Sequence, residues 1–164
     1  MKGHPPKLMG FGRHRNKVST ITAIAVTPNG RRIRLFWQTN AEHSIDAAGV
    51  VAFLRKLLDQ LRGRIIVVWD GGSNHKGPLM RELLGRHRRL HLERLPAYAP
   101  DLNPVEMIWS YLKYGLMANF VPRDVQEVDK VVQGHLWQLS RNPQLIRSLW
   151  TGSRLPLVNK NLAT

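Results

Sequence analysis

A run of five apolar residues, Ile65 to Trp69, is the feature that most constrains how this chain folds. The first four residues of the run are β-branched, and Asp70 and two glycines follow it directly. A continuous apolar run of this length is typical of a strand that is covered on both faces. We therefore expect the run to form the central strand of a sheet that carries helices on both sides.

The segments around this run alternate between strand and helix patterns. Residues 18–26 and 32–38 alternate in polarity, and the turn sequence Pro28-Asn29-Gly30 between them predicts a hairpin. The remaining pattern predicts a helix from a cap at Ser44 to Gly63, helices over 78–89 and 104–119, a strand over 91–95, and one or two helices within 123–149. Strands that alternate with helices predict the α/β class, with the hairpin on one side of the central strand and 91–95 on the other.

The charge of the chain points to a polyanionic partner. Lys and Arg number 25 against 11 Asp and Glu, which gives a net charge of +14. Residues 1–41 hold eight basic side chains and no carboxylate, and a second basic cluster covers 76–94. A domain this basic usually binds nucleic acid, because each cation that neutralises a phosphate releases a counterion. Solubility through surface charge is the alternative interpretation.

Composition excludes several classes of protein. The chain has no cysteine, which excludes disulfides, thiolate metal sites and a cysteine nucleophile. It has no signal-peptide pattern and no apolar stretch near the ~20 residues of a membrane helix. We therefore expect one cytoplasmic domain, without a membrane, from its 164 residues.

Asp70 is the first candidate functional residue. It stands where the apolar strand ends, and in open α/β sheets ligands bind at the carboxyl ends of strands. The glycines after it would allow a ligand or metal ion to approach the backbone closely. An Asp that starts a local turn with Gly72 is an equally good interpretation of this position.

Glu106 is the second candidate. Asn103, Pro104 and Glu106 fit the N-cap, first and third positions of a helix, so a purely structural capping box accounts for them well. The functional interpretation is that Glu106 directs its carboxylate from the first helical turn toward Asp70. Paired carboxylates without other ligand types suit hard cations such as Mg²⁺.

Two segments together carry a family resemblance. VVWDGGSNHKG at 67–77 and LPAYAPDLNPVEMIWSYLK at 95–113 resemble the second and third signatures of DDE-type transposases. The resemblance is to the mariner superfamily, and within it to the bacterial insertion-sequence branch. The 35 residues between Asp70 and Glu106 agree with the spacing in that group, and the similarity covers about 10–140.

The resemblance implies an RNase H-like fold and a reaction on DNA. In the family, two divalent ions, Mg²⁺ or Mn²⁺, are held by three acidic residues. The enzymes hydrolyse phosphodiester bonds at transposon ends and transfer the freed 3′-hydroxyl to target DNA. Asp70 matches the second acid and Glu106 the third, with Asn74, His75 and Asn103 as supporting residues.

The first acid of the family has no counterpart here. In the family it ends a strand ahead of the hairpin, whereas no carboxylate precedes Glu42 and Asp46 falls just before a helix. The resemblance therefore implies the C-terminal part of a transposase, without its first strand and its helix-turn-helix domain. We expect a basic lead-in at 1–16, a truncated catalytic domain at 17–150 and a tail at 151–164.

Three functions follow as hypotheses. The first is a transposase domain on the bacterial nucleoid, which is completed by the upstream half and forms a homodimer on DNA. The second is a basic protein that binds nucleic acid without cutting it, and the third is an inactive remnant. The residues expected to bind DNA are Arg13, Arg15, Lys17, Lys76 and Arg81, within basic segments that should line an approach to the carboxylates.

Overall fold

The computed structural model describes residues 17–70, 77–97 and 99–157. Over these residues the chain forms four strands and five α-helices. In chain order they are β1 (Ser19–Val26), β2 (Ile33–Asn40), α1 (Ala47–Gln60), β3 (Ile65–Trp69), α2 (Pro78–Arg86), β4 (Leu90–Arg94), α3 (Pro104–Ser110), α4 (Val125–Ser140) and α5 (Pro143–Thr151). A 3₁₀ turn (Pro100–Leu102) precedes α3, and a π-helical segment (Tyr111–Leu116) follows it where a single longer helix was expected.

The predicted hairpin is confirmed. Strands β1 and β2 pair antiparallel, with Ser19 opposite Asn40 and Val26 opposite Ile33. The Thr27 N–H donates to Arg32 O over 3.0 Å and closes the turn. Gly30 lies within it at φ 65°, a backbone conformation that favours glycine.

Helix α1 begins at a different cap from the one expected. The Asp46 side chain accepts the Gly49 N–H at 2.9 Å, so Asp46 is the N-cap and the predicted Ser44 cap is wrong. A carboxylate placed three residues before an unpaired N–H satisfies it, whereas Ser44 lies outside the helix start. The helix ends at Gln60, ahead of Gly63, which has φ 77°.

Strands β3 and β4 form a second, parallel pair. Ile65 lies opposite Leu90 and Trp69 opposite Arg94, with α2 as the connection between the strands. The Leu95 N–H donates to Trp69 O at 2.8 Å and extends the pairing to the end of β3. The predicted strand next to Ile65–Trp69 is therefore confirmed, one residue earlier than expected.

The prediction that Ile65–Trp69 is central and covered on both faces is wrong. Among the described residues β3 pairs with β4 alone, and the β1–β2 hairpin is a separate sheet. Ile66 is 65% exposed and Val68 is 45% exposed, so one face of β3 lies open within this part of the chain. Apolar, β-branched residues fix the strand conformation, but they do not fix which strand lies alongside.

Two apolar clusters hold the elements together. The inner cluster lies around α1 and consists of Phe36, Val50, Val51, Phe53, Leu54, Leu57, Leu58, Met80, Leu83 and Leu90. The outer cluster lies on the other face of the hairpin and consists of Ile33, Leu35, Ile108, Leu112, Val132, Leu136, Leu139 and Ile146. Both β1 and β3 contact the inner cluster, so both small sheets pack against α1.

Candidate active site

Asp70 follows the last residue of β3 and is exposed. Because β3 and β4 are parallel, their carboxyl ends meet at one edge of this small sheet. Leu95 leaves β4 at the same edge and is buried. The chain after β4 therefore starts next to Asp70, and it leads through a proline-rich loop to α3.

Glu106 lies in the first turn of α3, and local hydrogen bonds fix where that turn begins. The Asn103 side-chain oxygen accepts the Val105 N–H at 3.2 Å, so Asn103 is the N-cap. The Asn103 N–H donates to Pro100 O at 3.0 Å, within the preceding 3₁₀ turn. The reciprocal half of a capping box, in which Glu106 would accept that N–H, is therefore replaced by a backbone partner.

The packing of α3 explains why Glu106 is exposed. Ile108 is fully buried in the outer cluster and anchors the helix against the hairpin. Residues two apart on a helix lie about 200° apart around its axis, so Glu106 is on the side away from Ile108.

The two carboxylates lie on one cleft. Its volume is about 190 Å³, and its lining consists of Asp70, Leu95, Pro96, Ala99, Pro100, Asn103 and Glu106. Both acids that the sequence singles out therefore line the same cleft, one from the end of β3 and one from the first turn of α3. The sequence analysis did not identify the apolar residues of the cleft wall, although Pro96 and Pro100 are a sequence signal for a loop at this place.

The remaining predicted site residues fall into two groups. Arg13, Arg15, Asn74, His75 and Lys76 lie outside the described residues. Lys17 is exposed just before β1, and Arg81 is exposed on the first turn of α2, which begins eight residues after Asp70 in the sequence. Asn103 contributes by capping α3, as described above, and it also lines the cleft.

Part of the basic cluster at 76–94 does not have the place expected for it, whereas Arg94 lies opposite Trp69 at the end of the sheet that carries Asp70. Arg86, Arg88 and Arg89 precede Leu90, which pairs with the first residue of β3. They lie at the end of the sheet opposite Asp70, about 17 Å away at ~3.3 Å per strand residue. The prediction that this cluster lines an approach to the carboxylates is wrong for these three arginines, because the crossover helix α2 carries them to the far end.

A family model matches most of the chain. The model described as "DDE superfamily endonuclease" matches residues 2–129. The chain belongs to this family. Both candidate carboxylates of this DDE domain lie within the matched region.

Solved structures agree at the level of the fold. The catalytic domain of the Mos1 mariner transposase matches with a TM-score of 0.53 and 13% identity, over 85% of this chain and 83% of that one. Structures of the Mos1 catalytic domain with Raltegravir and Mg or Mn match with TM-scores of 0.53 and 15% identity. They cover 82% of this chain in each case, and 79% and 78% of theirs. The expected RNase H-like α/β class is confirmed; no sequence among the curated proteins matches the chain.

The donor set of this DDE domain fits one hard cation better than two. Asp70 and Glu106 offer carboxylate oxygens, the ligands that Mg²⁺ and Mn²⁺ prefer. All eleven Asp and Glu residues of the chain lie within the described ranges, and no three acidic or histidine side chains there form a metal-binding group. Asp101, the nearest further carboxylate along the chain, is ion-paired with Arg154 at 3.1 Å.

One further finding concerns membranes. Across residues 17–70, 77–97 and 99–157, no helix has both the length and the apolar character needed to cross a bilayer.

Proposed function

We propose that this chain is the catalytic core of a DNA transposase that acts on phosphodiester bonds at transposon ends. The observation that carries the proposal is the shared cleft of Asp70 and Glu106. A strand end and a helix start place the two acids there independently, and the family match gives the pair a chemical context. The divalent ion would be Mg²⁺ or Mn²⁺, held by these two carboxylates.

Each element of the cleft has a definable task under this proposal. A bound divalent ion would polarise the phosphodiester and lower the pKa of an attacking water. Asp70 and Glu106 would hold the ion, and the Asn103 cap fixes the turn that carries Glu106. Lys17 and Arg81 would contact DNA phosphates, as would Arg13, Arg15 and Lys76, while Asn74 and His75 would support the site.

Under this proposal, a site with two divalent ions needs a third carboxylate in addition to Asp70 and Glu106. Two divalent ions bring four positive charges, and two carboxylates leave them poorly neutralised at a separation of ~4 Å. Among the described residues β3 pairs with β4 alone, so a further strand could pair with the other edge of β3 and end in an acid next to Asp70. The upstream half of a transposase would supply it, in a complex on the bacterial nucleoid that is a homodimer on DNA.

Metal binding tests the site without requiring turnover. We expect the chain to bind Mn²⁺ weakly in a titration followed by electron paramagnetic resonance. Asp70→Asn and Glu106→Gln should each abolish that binding, whereas Asp59→Asn, an exposed acid on α1, should leave it unchanged. Equal binding by all four proteins would reject the carboxylate pair as a metal site.

Nicking of supercoiled plasmid in Mg²⁺ or Mn²⁺ tests the transposase chemistry. We expect no cleavage by the chain alone, and cleavage once an upstream segment that ends a strand in Asp is fused to it. That gain should disappear with Asp70→Asn or Glu106→Gln. Cleavage by the bare chain that survives Asp70→Asn would mean that the active site lies elsewhere. Binding of DNA without cleavage by any form would favour the non-catalytic hypothesis.

A further inference from the structure

The arginines at the end of the molecule opposite the carboxylates form a surface that the cleft does not use. Three segments meet there: the hairpin turn, the connection from α1 to β3, and the connection from α2 to β4. Hydrogen bonds join them. The Ile65 N–H donates to Arg89 O at 2.7 Å, and the Arg34 guanidinium donates to the Gln60 side chain at 3.4 Å.

Arg89 is the central link between these segments. Its guanidinium donates to Leu61 O at 2.7 Å and to Gly63 O at 3.0 Å, and also to Leu58 O. The Leu58 and Leu61 carbonyls lie at the end of α1, which a helix otherwise leaves without partners, and the Gly63 carbonyl lies in the connection that follows. Arg89 therefore has a structural task that holds the two connections together.

The other arginines of this surface have no comparable task. We define the basic pole as Arg31, Arg32, Arg62, Arg64 and Arg88, all of them exposed. Within the described part of the chain, no ion pair involves any of the five. Elsewhere in that part, Arg86, Arg123 and Arg154 are each paired with a carboxylate at 2.8 to 3.1 Å.

The local balance of charge is one-sided. Residues 31–34, 60–64 and 86–91 contain no Asp or Glu, and Arg is their only residue type that is charged at neutral pH. Asp59, at the end of α1, is the nearest acid along the chain. Guanidinium groups bind phosphate oxygens through paired hydrogen bonds, and their summed field attracts polyanions from a distance.

We propose that the basic pole binds the phosphate backbone of duplex DNA, as a contact separate from the cleft. The spread of the arginines over three segments suits an extended polyanion rather than a single free phosphate. The pole lies about 17 Å from Asp70 along β3, so it would bind a part of the duplex that is distant from the bond that reacts. This inference extends the proposed function, since it takes DNA as the partner, but it does not depend on the carboxylates.

Salt-dependent binding to a labelled 30-base-pair duplex, followed by fluorescence anisotropy, tests the pole on the full chain. Each lost phosphate contact should reduce the slope of log K against log salt by about 0.9, so R62Q/R64Q/R88Q should lower it by about 2.7. The matched control R55Q/K130Q/R141Q removes the same charge from exposed positions on α1 and at α4. We expect the control to change the slope by less than about one.

Further variants of this experiment distinguish an effect of charge from an effect of structure, and binding of DNA from binding of other polyanions. R62K/R64K/R88K should restore the wild-type slope, because lysine keeps the charge; failure to restore it overturns the proposal. Equal losses in the pole and control variants would also overturn it, since they would reflect net charge alone. Polyglutamate that binds as tightly as DNA, with the same loss in the pole variant, would assign the pole to acidic proteins instead. Failure of the unchanged chain to bind Mn²⁺, or equal Mn²⁺ binding by Asp70→Asn, would refute the proposed function while leaving this result intact.

Discussion

The two small sheets differ in how completely the described residues cover them. The β1–β2 hairpin has apolar contacts on both faces, with the inner cluster on one side and the outer cluster on the other. The β3–β4 pair has the inner cluster on one face, while Ile66 and Val68 are exposed on the other face of β3. Asp70, which ends β3, therefore belongs to the less covered sheet.

This difference separates what stabilises the domain from what carries its candidate chemistry. Glu106 belongs to the well-packed side, because Ile108 anchors α3 in the outer cluster. Asp70 belongs to the less covered sheet, in which β3 pairs with β4 alone among the described residues, so an additional strand could pair with the other edge of β3. An unpaired strand edge with exposed apolar residues invites association with another chain. The cleft thus joins an acid on a well-anchored helix to an acid whose strand has an exposed face.

The largest expected effect is on the outer cluster. Leu136 on α4 is fully buried there. Leu136→Ala should lower the free energy of unfolding by about 2–5 kcal/mol, because it removes buried methyl groups and leaves a cavity. Urea denaturation followed by circular dichroism measures the change. Gln133→Ala, an exposed position on the same helix, should stay within about 0.5 kcal/mol. A small effect at Leu136 would mean that the hairpin is not held from this side.

The cap of α1 should have an intermediate effect, since α1 contacts both sheets. Asp46→Ala should cost about 1 kcal/mol, because the Gly49 N–H loses its acceptor at the helix start. Ser44→Ala is the matched control and should change the stability by less than about 0.5 kcal/mol. Equal effects at the two positions would contradict the assignment of the cap.

Exposed Ile66 should have a smaller effect in the chain alone. Ile66→Ala removes a side chain that is 65% exposed, so we expect a loss below about 1 kcal/mol. In a protein completed by a further strand, the same substitution should cost more, because a side chain of the added strand would pack laterally against Ile66 as its cross-strand neighbour. A cost of several kcal/mol in the isolated chain would show that a second molecule covers β3 in solution, which ultracentrifugation would detect.

The sequence was sufficient for the local parts of the site but not for the layout of the sheet. The strand ending at Asp70 and the Asn103-capped helix before Glu106 follow from contiguous residues, and so they could be predicted. The pairing of β3 depends on residues far apart in sequence, and a buried-strand pattern does not encode them. Arg86, Arg88 and Arg89 were assigned to the wrong end of the sheet for the same reason, since only the parallel register fixes their distance from Asp70.

The smallest expected effect concerns two surface ion pairs. One lies at the start of α4, which packs on the hairpin, and the other lies on α2, which connects β3 and β4. At the start of α4, Glu127 accepts the Arg123 backbone N–H at 2.7 Å and a guanidinium N–H at 3.1 Å. Both hydrogen bonds lower the pKa of Glu127. The bond from the Arg123 side chain has the larger effect, and the bond from the Arg123 backbone comes second. On α2, Arg86 and Glu82 form a simple pair at 2.8 Å, four residues apart and largely exposed.

The lowered pKa fixes the direction of the pH dependence. Because the folded state binds the Glu127 proton less tightly than the unfolded chain does, this group contributes stability above the ordinary Glu pKa. That contribution is lost as the pH falls through the folded pKa. Glu127→Gln should therefore lower the urea midpoint at neutral pH and converge on the wild type in acid. Glu82→Gln should stay close to the wild type at both, as exposed pairs contribute little. A gap between Glu127→Gln and the wild type that persists unchanged in acid would show that the carboxylate acts through packing rather than charge. The ordering of the start of α4 would then be independent of pH.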